Sequence, residues 1–392
     1  MVSVVIPTYN AKRLVVKAIR SVLAQTLAAK QIVVVDDGST DGTATALEEF
    51  GDQIQTITQA NMGRSQARNR GIAASTSEFV AFLDADDTWY PNKLARQLQM
   101  LENQPEASWT YCKVRLIDLD GQPIESDFWP STEGHGRVGA SSVYNDILLG
   151  EIGISTSTVI VARSVLSEVG PFRNSLRSAE DTNLWLRMAK RNKALFVPEV
   201  LATRRVDPNG SFLERYISHD YSTYGFEAIK DAIERSEATT ARSKEARVAL
   251  LNRKLESVLI LLASDQCEKG GQQLKEVLDA DEWILSGLQL ERALADFAIS
   301  AARYNVSGPQ KAEHVLDTVL NCLSEESFGE RLAARSRAEL FAIIAYMFYA
   351  KGMMGISRRY TLKGIRHQPA MLKNKGLIRR LLRPFGGSHG LG

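Results

Sequence analysis

Uninterrupted apolar runs fill the first half of the chain, and apolar residues at helical spacing fill the second, with the change near residue 215. VSVVIPT, residues 2–8, predicts a strand, and Tyr9-Asn10 begin the loop into an amphipathic helix from about Lys12 to Gln25. QIVVVDD, from residue 31, is β-branched without alternation, the pattern of a strand covered on both faces. It ends at Asp36-Asp37-Gly38-Ser39, and Asp41-Gly42 lead into a helical stretch. FVAFLDADDTW, residues 79–89, repeats the arrangement with Asp84, Asp86 and Asp87 at the end of an apolar strand. Ligands of an open parallel sheet sit beyond the carboxyl ends of its strands, so the three strand ends predict one crevice.

Beyond residue 215 Gly and Pro are sparse and strand-like alternation disappears. KEARVALLNRKLESVLILLAS, LQLERALADFAISAARY, QKAEHVLDTVLNCL and RAELFAIIAYMFYAKG have helical periodicity. They read as helical hairpins broken at Gly270-Gly271, Gly308-Pro309 and Gly352. Residues 340–369 weakly resemble a tetratricopeptide unit, and a non-repeating bundle fits equally. The expected division is 1–215 for an α/β domain and 216–392 for a helical one. FAIIAYMFYA, residues 341–350, is too short to span a bilayer, which takes roughly 20 apolar residues.

The strand-end acids are the candidate chemistry. Side chains two apart on an extended backbone project to the same side. Asp84 and Asp86 can therefore share one hard cation and leave its other positions to a phosphate-bearing substrate. The same Asp-Ala-Asp-Asp also suits a turn that caps the next helix.

VSVVIPTYN, VVVDDGSTDGT, NMGRSQARNRG, FLDADDTWYPNKL and, at residues 179–188, AEDTNLWLRM together resemble the inverting glycosyltransferases of family 2. The resemblance covers the chain up to about residue 210. It implies the GT-A fold, a Rossmann-like, mostly parallel sheet sandwiched by helices, here followed by an all-α C-terminal domain. It further implies that Pro7, Tyr9, Asp37 and Ser39 hold the base and ribose of a nucleotide, and that the loop from Asn61 to Arg64 closes over them. Arg64 can also offset phosphate charge. Asp84 and Asp86 match the DxD motif that carries Mg²⁺ or Mn²⁺ and the donor diphosphate, with Asp86 the principal metal ligand. Asp181 of the Glu180-Asp181 pair matches the general base, although a first-turn acid is also favoured by the helix dipole alone. Arg68 is expected either to tie the sheet to its helix or to touch ligand, and Trp185 either to pack in the core or to line the acceptor site. One departure concerns TRRVDPNGS, residues 203–211, where Asp207 stands in place of the His many relatives carry, with Arg204 and Arg205 beside it.

The implied donor is a nucleoside diphosphate sugar, UDP-linked in most relatives, and the acceptor a hydroxyl of a surface glycan or lipid-linked glycan. A catalytically silent sugar-nucleotide binder, with the helical half as an interaction module, is the alternative reading.

Cys112, Cys267 and Cys322 lack paired spacing and point to a reducing compartment. No basic stretch followed by an apolar signal region precedes the first strand, so the expected location is cytoplasmic. The net charge of +2 hides an uneven distribution, because Glu339 is the last acid of the chain. KGLIRRLLRPF in the C-terminal tail pairs basic with apolar residues, the composition of a helix on an anionic lipid surface or of a solvated basic face. Nucleic acid is not an expected partner, since no recognition helix, zinc-ligand spacing or aromatic platform appears. A dinucleotide-binding dehydrogenase is excluded because no Gly-x-Gly-x-x-Gly follows the first strand. His135, in the 120–140 loop, is expected to be exposed.

Overall fold

A computed structural model of the chain describes residues 1–124, 132–134, 136–137, 139–150, 152–207, 221–234, 244–263, 268, 270–273, 295, 297–298, 308–322, 329–350 and 353–369. His135, Cys267 and the tail from residue 370 lie outside the described residues. Two compact units divide the chain, the first comprising Met1–Ile124, the described part of 131–207, and Tyr221–Arg253. The first unit therefore extends past the boundary expected at residue 215.

Its elements run β1 (Val2–Thr8), α1 (Lys12–Leu23), β2 (Gln31–Asp36), α2 (Thr43–Glu48), β3 (Gln55–Thr58), α3 (Arg64–Ala74) and β4 (Phe79–Phe82). There follow β5 (Thr88–Trp89), α4 (Lys93–Asn103), β6 (Ala107–Ile117), β7 (Thr132–Glu133), β8 (Ala140–Ser141) and α5 (Tyr144–Leu148). The unit continues with β9 (Ile160–Ala162), α6 (Arg163–Val169), α7 (Glu180–Ala189), β10 (Lys193–Arg205) and α8 (Tyr221–Glu234). The strands form one sheet in the order β3-β2-β1-β4-β9-β6-β10-β5, with β7 beside β6 and β8 beside β10.

The sheet is mixed. β3, β2, β1 and β4 are mutually parallel, as their unbroken apolar runs predict. β9, by contrast, runs antiparallel between β4 and β6, while β6 and β10 are parallel to each other. Three residues of β9 are too short to announce a direction in the sequence, and only their pairing reveals it.

Helices cover the sheet because each presents one apolar stripe. α1 buries Val15, Ala18, Ile19 and Val22, spaced for a single face. Gly71 lets α3 lie directly on β1, since a Cβ there would sit 2.3 Å from Val5 Cγ1. α7 buries Leu184, Trp185, Leu186 and Met188 in the principal core. Trp185 is 1% exposed and stacks on Trp109 with ring centroids 6.1 Å apart, so it is a core residue rather than part of an acceptor surface. Burying each such aromatic contributes about 1.5–3 kcal/mol, and here that energy fixes the start of α7, where the Glu180-Asp181 pair stands. Asn183 of α7 donates to the Ala228 carbonyl at 2.8 Å and to Asp231 at 3.0 Å, which fastens α8 to the first unit. Lys93, at the start of α4, is fully buried with its Nζ 4.2 Å from the centre of the Trp89 ring, and burial pushes its pKa down to about 8.

The division between units falls within α9 (Lys244–Ala263). In the second unit, α10 (Gly308–Cys322), α11 (Gly329–Ala350) and α12 (Met354–His367) are the long described helices after it. Ser357 donates to the Ala345 carbonyl at 2.7 Å, and Phe341 meets Tyr360 with ring centroids 6.0 Å apart, so α11 and α12 pack as a pair. Lys363 joins α12 to Glu313 of α10 at 2.9 Å. The break expected at Gly270-Gly271 is absent, because residues 270–273 are helical. Close packing explains the first glycine, since a Cβ on Gly270 would lie 2.6 Å from Leu262 Cδ2. Among the described residues no helix is long and apolar enough to cross a membrane.

Candidate active site

β2 and β4 flank β1 and run parallel to it, so the residues that follow all three strands emerge at one edge of the sheet. On the β2 side, Asp37 is buried, and its carboxylate accepts three hydrogen bonds. Oδ1 accepts from Gln59 Nε2 at 2.7 Å and the Met62 N–H at 2.9 Å, and Oδ2 from the Gly63 N–H at 2.8 Å. Asp37 therefore shapes the 61–63 loop directly, and one remaining acceptor position on Oδ2 is the most it can offer a ligand. Gly38 permits that loop to approach. Its φ is +80°, and a Cβ would sit 2.9 Å from the Asn61 nitrogen.

Ser39 and Asn10 lock the loops after β1 and β2 together. Ser39 Oγ accepts from the Asn10 N–H at 2.9 Å, and Asn10 Oδ1 accepts from the Thr40 N–H at 2.7 Å. Pro7 is half-buried at the end of β1, whereas Tyr9, which follows the Thr8 carbonyl that accepts from the Asp37 N–H at 2.8 Å, leaves 49% of its surface exposed.

On the β4 side stand the acids. Asp84 Oδ1 accepts from Arg68 Nη2 at 2.7 Å. Asp86 is exposed, yet desolvation by the surrounding protein and the neighbouring Asp84 charge raise its pKa, against the pull of Arg205 and Arg204. Asp87 points the other way, into the protein. It accepts from Ser157 Oγ at 2.6 Å and the Arg205 N–H at 2.9 Å, and burial, with the charges of Asp86 and Asp84, pushes it up to about 8. Arg205 braces the loop backbone through Nε to the Asp86 carbonyl at 3.2 Å and Nη1 to the Asp118 carbonyl at 2.8 Å.

Arg68 connects this loop to α7. It is 3% exposed, and Nη1 donates to Glu180 Oε1 at 2.7 Å while Nη2 holds Asp84. Burial opposes the guanidinium charge, but the two carboxylates outweigh it and raise its pKa. Arg64, half-exposed, lies 3.9 Å from the same Glu180 oxygen. Burial and the Asp181 charge raise the pKa of Glu180, which Arg68 and Arg64 oppose. Asp181 is partly exposed. Its Oδ1 accepts from the Thr182 N–H at 2.7 Å and its Oδ2 from Thr156 Oγ1 at 3.3 Å. Ala179, immediately before the pair, has a left-handed backbone with φ +56°, a conformation that costs a non-glycine residue on the order of 1 kcal/mol and turns the chain sharply into α7.

A hard divalent cation fits the donor set. Asp84 and Asp86 are oxygen donors on one loop, the ligand type a hard divalent cation takes, and burial first, then the neighbouring acids, raise the pKa values of Asp86 and Asp87. Among the described residues no three His, Cys, Asp or Glu side chains converge as a metal cage.

Comparison with known proteins gives the family. A profile of glycosyl transferase family 2 matches residues 3–134. The Escherichia coli UDP-Glc:alpha-D-GlcNAc-diphosphoundecaprenol beta-1,3-glucosyltransferase WfgD is 34% identical over 194 residues, which cover 49% of this chain and 71% of that protein. The chain belongs to glycosyltransferase family 2.

Other family 2 relatives include the putative teichuronic acid biosynthesis glycosyltransferase TuaG of Bacillus subtilis, 29% identical over 214 residues, 53% of this chain and 80% of that protein. The chain spans 41% of the length of an uncharacterised Nostoc glycosyltransferase that is 49% identical over 137 residues, and 64% of a Rickettsia typhi one. Among solved structures, S. aureus TarS has a TM-score of 0.51 at 19% identity, covering 83% of this chain and 55% of that one. The mannosyltransferase PcManGT from Pyrobaculum calidifontis has a TM-score of 0.50 at 18% identity, covering 83% of this chain and 88% of its own. These structures establish the GT-A fold.

The family 2 motifs bring Asp37, Ser39, Asp84 and Asp86 to one sheet edge, and Arg68 ties Glu180, the residue before Asp181, to Asp84. Arg64, expected to offset phosphate charge, lies 3.9 Å from Glu180 Oε1. Sequence reading missed Thr156 and Ser157, which touch Asp181 and Asp87. The only signal was the hydroxyl-rich stretch Ser155–Thr158 ahead of an apolar run.

Proposed function

We propose that the chain transfers a sugar, with inversion, from a nucleoside diphosphate sugar to an acceptor hydroxyl, and that a divalent cation assists. The observation that carries the reading is the double ion pair of Arg68, which joins a strand-end acid of the DxD loop to the acid beside Asp181. Inversion needs a leaving-group site and a base held in fixed relation, and one buried guanidinium supplies that relation.

In this reading Tyr9 gives the base a stacking face, and Asp37 holds the 61–63 loop against it. Asp86 and Asp84 would hold Mg²⁺ or Mn²⁺, which when bound neutralises charge growing on the departing diphosphate. Asp181 accepts the proton of the acceptor hydroxyl from the side opposite the leaving group. Thr182 meets Oδ1 through its N–H at 2.7 Å and its hydroxyl at 3.5 Å, while Thr156 takes one position on Oδ2 and leaves the other for the substrate.

The donor is read as UDP-linked, and the acceptor as a hydroxyl of a surface glycan or lipid-linked glycan, at the cytoplasmic face of a membrane. The two named relatives support this, one bearing UDP-glucose and a diphosphoundecaprenol acceptor in its name and the other teichuronic acid. Anionic membrane attachment through the tail stays part of the proposal.

A thermal-stability screen of nucleoside diphosphate sugars, with and without Mn²⁺, checks the donor. UDP-sugars with the cation are expected to raise the melting temperature by several degrees, since ligand at 100 times its Kd adds about 2.7 kcal/mol. Equal melting with every nucleotide and cation would contradict the reading.

A further inference from the structure

Thr156, Ser157 and Thr158 form one 3-10 turn ahead of β9, and all three are buried, with 4%, 0% and 1% of their surface exposed. The turn is held from below. Its Ser157 carbonyl accepts from Trp89 Nε1 at 2.8 Å, its Thr158 carbonyl from Gln97 Nε2 at 2.9 Å, and Thr158 Oγ1 donates to the Ser155 carbonyl at 2.6 Å. Two adjacent hydroxyls then reach in different directions from this fixed base. Thr156 Oγ1 donates to Asp181 Oδ2 at 3.3 Å. Ser157 Oγ accepts from the Asp84 N–H at 3.1 Å and donates to Asp87 Oδ2 at 2.6 Å.

We propose that this turn is a positioning element for the reaction, in which Thr156 aims the Asp181 carboxylate while Ser157 sets the loop bearing Asp84 and Asp86. The proposal rests on the reading of Asp181 as the base. A partly exposed carboxylate on the first turn of a helix has rotamers to choose among, and Thr182, through its N–H and hydroxyl, holds one oxygen only. Thr156 supplies the second point of attachment. Neighbouring backbone positions then define the separation between base and diphosphate loop, and misplacement of reacting groups by about 1 Å costs on the order of 10²-fold in rate.

Steady-state kinetics of Thr156 variants test this. Thr156→Val keeps the shape and removes the hydroxyl, and is expected to lower kcat by about tenfold or more with the donor KM within about twofold. Thr156→Ser restores the hydroxyl and is expected to return most of kcat. Unchanged kcat in Thr156→Val would overturn the proposal, and so would an equal loss in Thr156→Ser, which would mean that packing rather than the hydroxyl matters. Should Thr156→Val fail to fold, Thr156→Ala, read in the same two ways against Thr156→Ser, takes its place. An active wild type whose Thr156→Val variant is equally active sinks this proposal alone. Asp181→Asn activity equal to wild type removes the base itself, and the proposal falls with it.

Discussion

Asp181→Asn is expected to lower sugar transfer by about 10² or more while cation-dependent donor binding stays within about twofold. The amide has the shape of the carboxylate, and its Oδ1 can still accept from the Thr182 N–H, while the Thr156 hydroxyl can turn to accept from the new amide N–H. What is lost is the negative charge, which also acts on Glu180, and with it the capacity to take a proton. Because Asp181 is on α7 and the acids that would carry the donor are on the loop after β4, donor affinity has no direct dependence on it. Initial rates of transfer, with donor affinity measured by calorimetry on the same preparations, separate the two. Turnover equal to wild type would take Asp181 out of the role assigned to it, and its carboxylate would then serve only the helix dipole.

Arg68→Met is expected to destabilise the first unit by about 3–5 kcal/mol, because removing one partner of a buried ion pair leaves the others uncompensated. Glu180 is 4% exposed at its side chain and loses its 2.7 Å partner, while Asp84 loses the only cation within ion-pair distance of it among the described residues. At roughly 2–4 °C per kcal/mol for a domain of this size, the melting temperature should fall by about 10 °C. Adding Glu180→Gln to Arg68→Met should recover part of the loss, since a neutral amide tolerates burial better than an unpaired carboxylate. A fall of under about 2 °C in the single variant, or no recovery in the double, would show that the bridge does not carry this energy.

The parts of the site that were legible in the sequence are those set by local pattern. β1, β2 and β4 are apolar runs that end in turn residues, so the edge at which Asp37, Asp84 and Asp86 emerge follows from strand direction alone. Tyr9, Ser39 and Asp181 are proposed for the site on the same motifs. What stayed hidden depends on partners far apart in the chain. Arg68 in ARN gave no sign of whether it met protein or ligand, because its partner Glu180 lies 112 residues away. Ser157 reaches Asp87 across 70 residues, and Thr156 reaches Asp181 across 25. β9 concealed its antiparallel direction in three residues, and helix α8 joined the first unit through Asn183, a polar residue that periodicity treats as surface. Asp207 sits two residues past Arg205, whose guanidinium donates to the loop carbonyls of Asp86, Asp118 and Leu119.

The central claim is that strand-end carboxylates hold a cation against the diphosphate of an activated sugar, and release of nucleoside diphosphate from the donor tests it most directly. Wild-type protein with UDP-sugar is expected to release UDP when Mn²⁺ or Mg²⁺ is present and to stop when the cation is chelated. Asp86→Ala should release at least about 10²-fold less at the same cation concentration, given the several kcal/mol that a cation contributes to a developing charge. Release that proceeds equally in Asp86→Ala, or equally after chelation, would contradict the account.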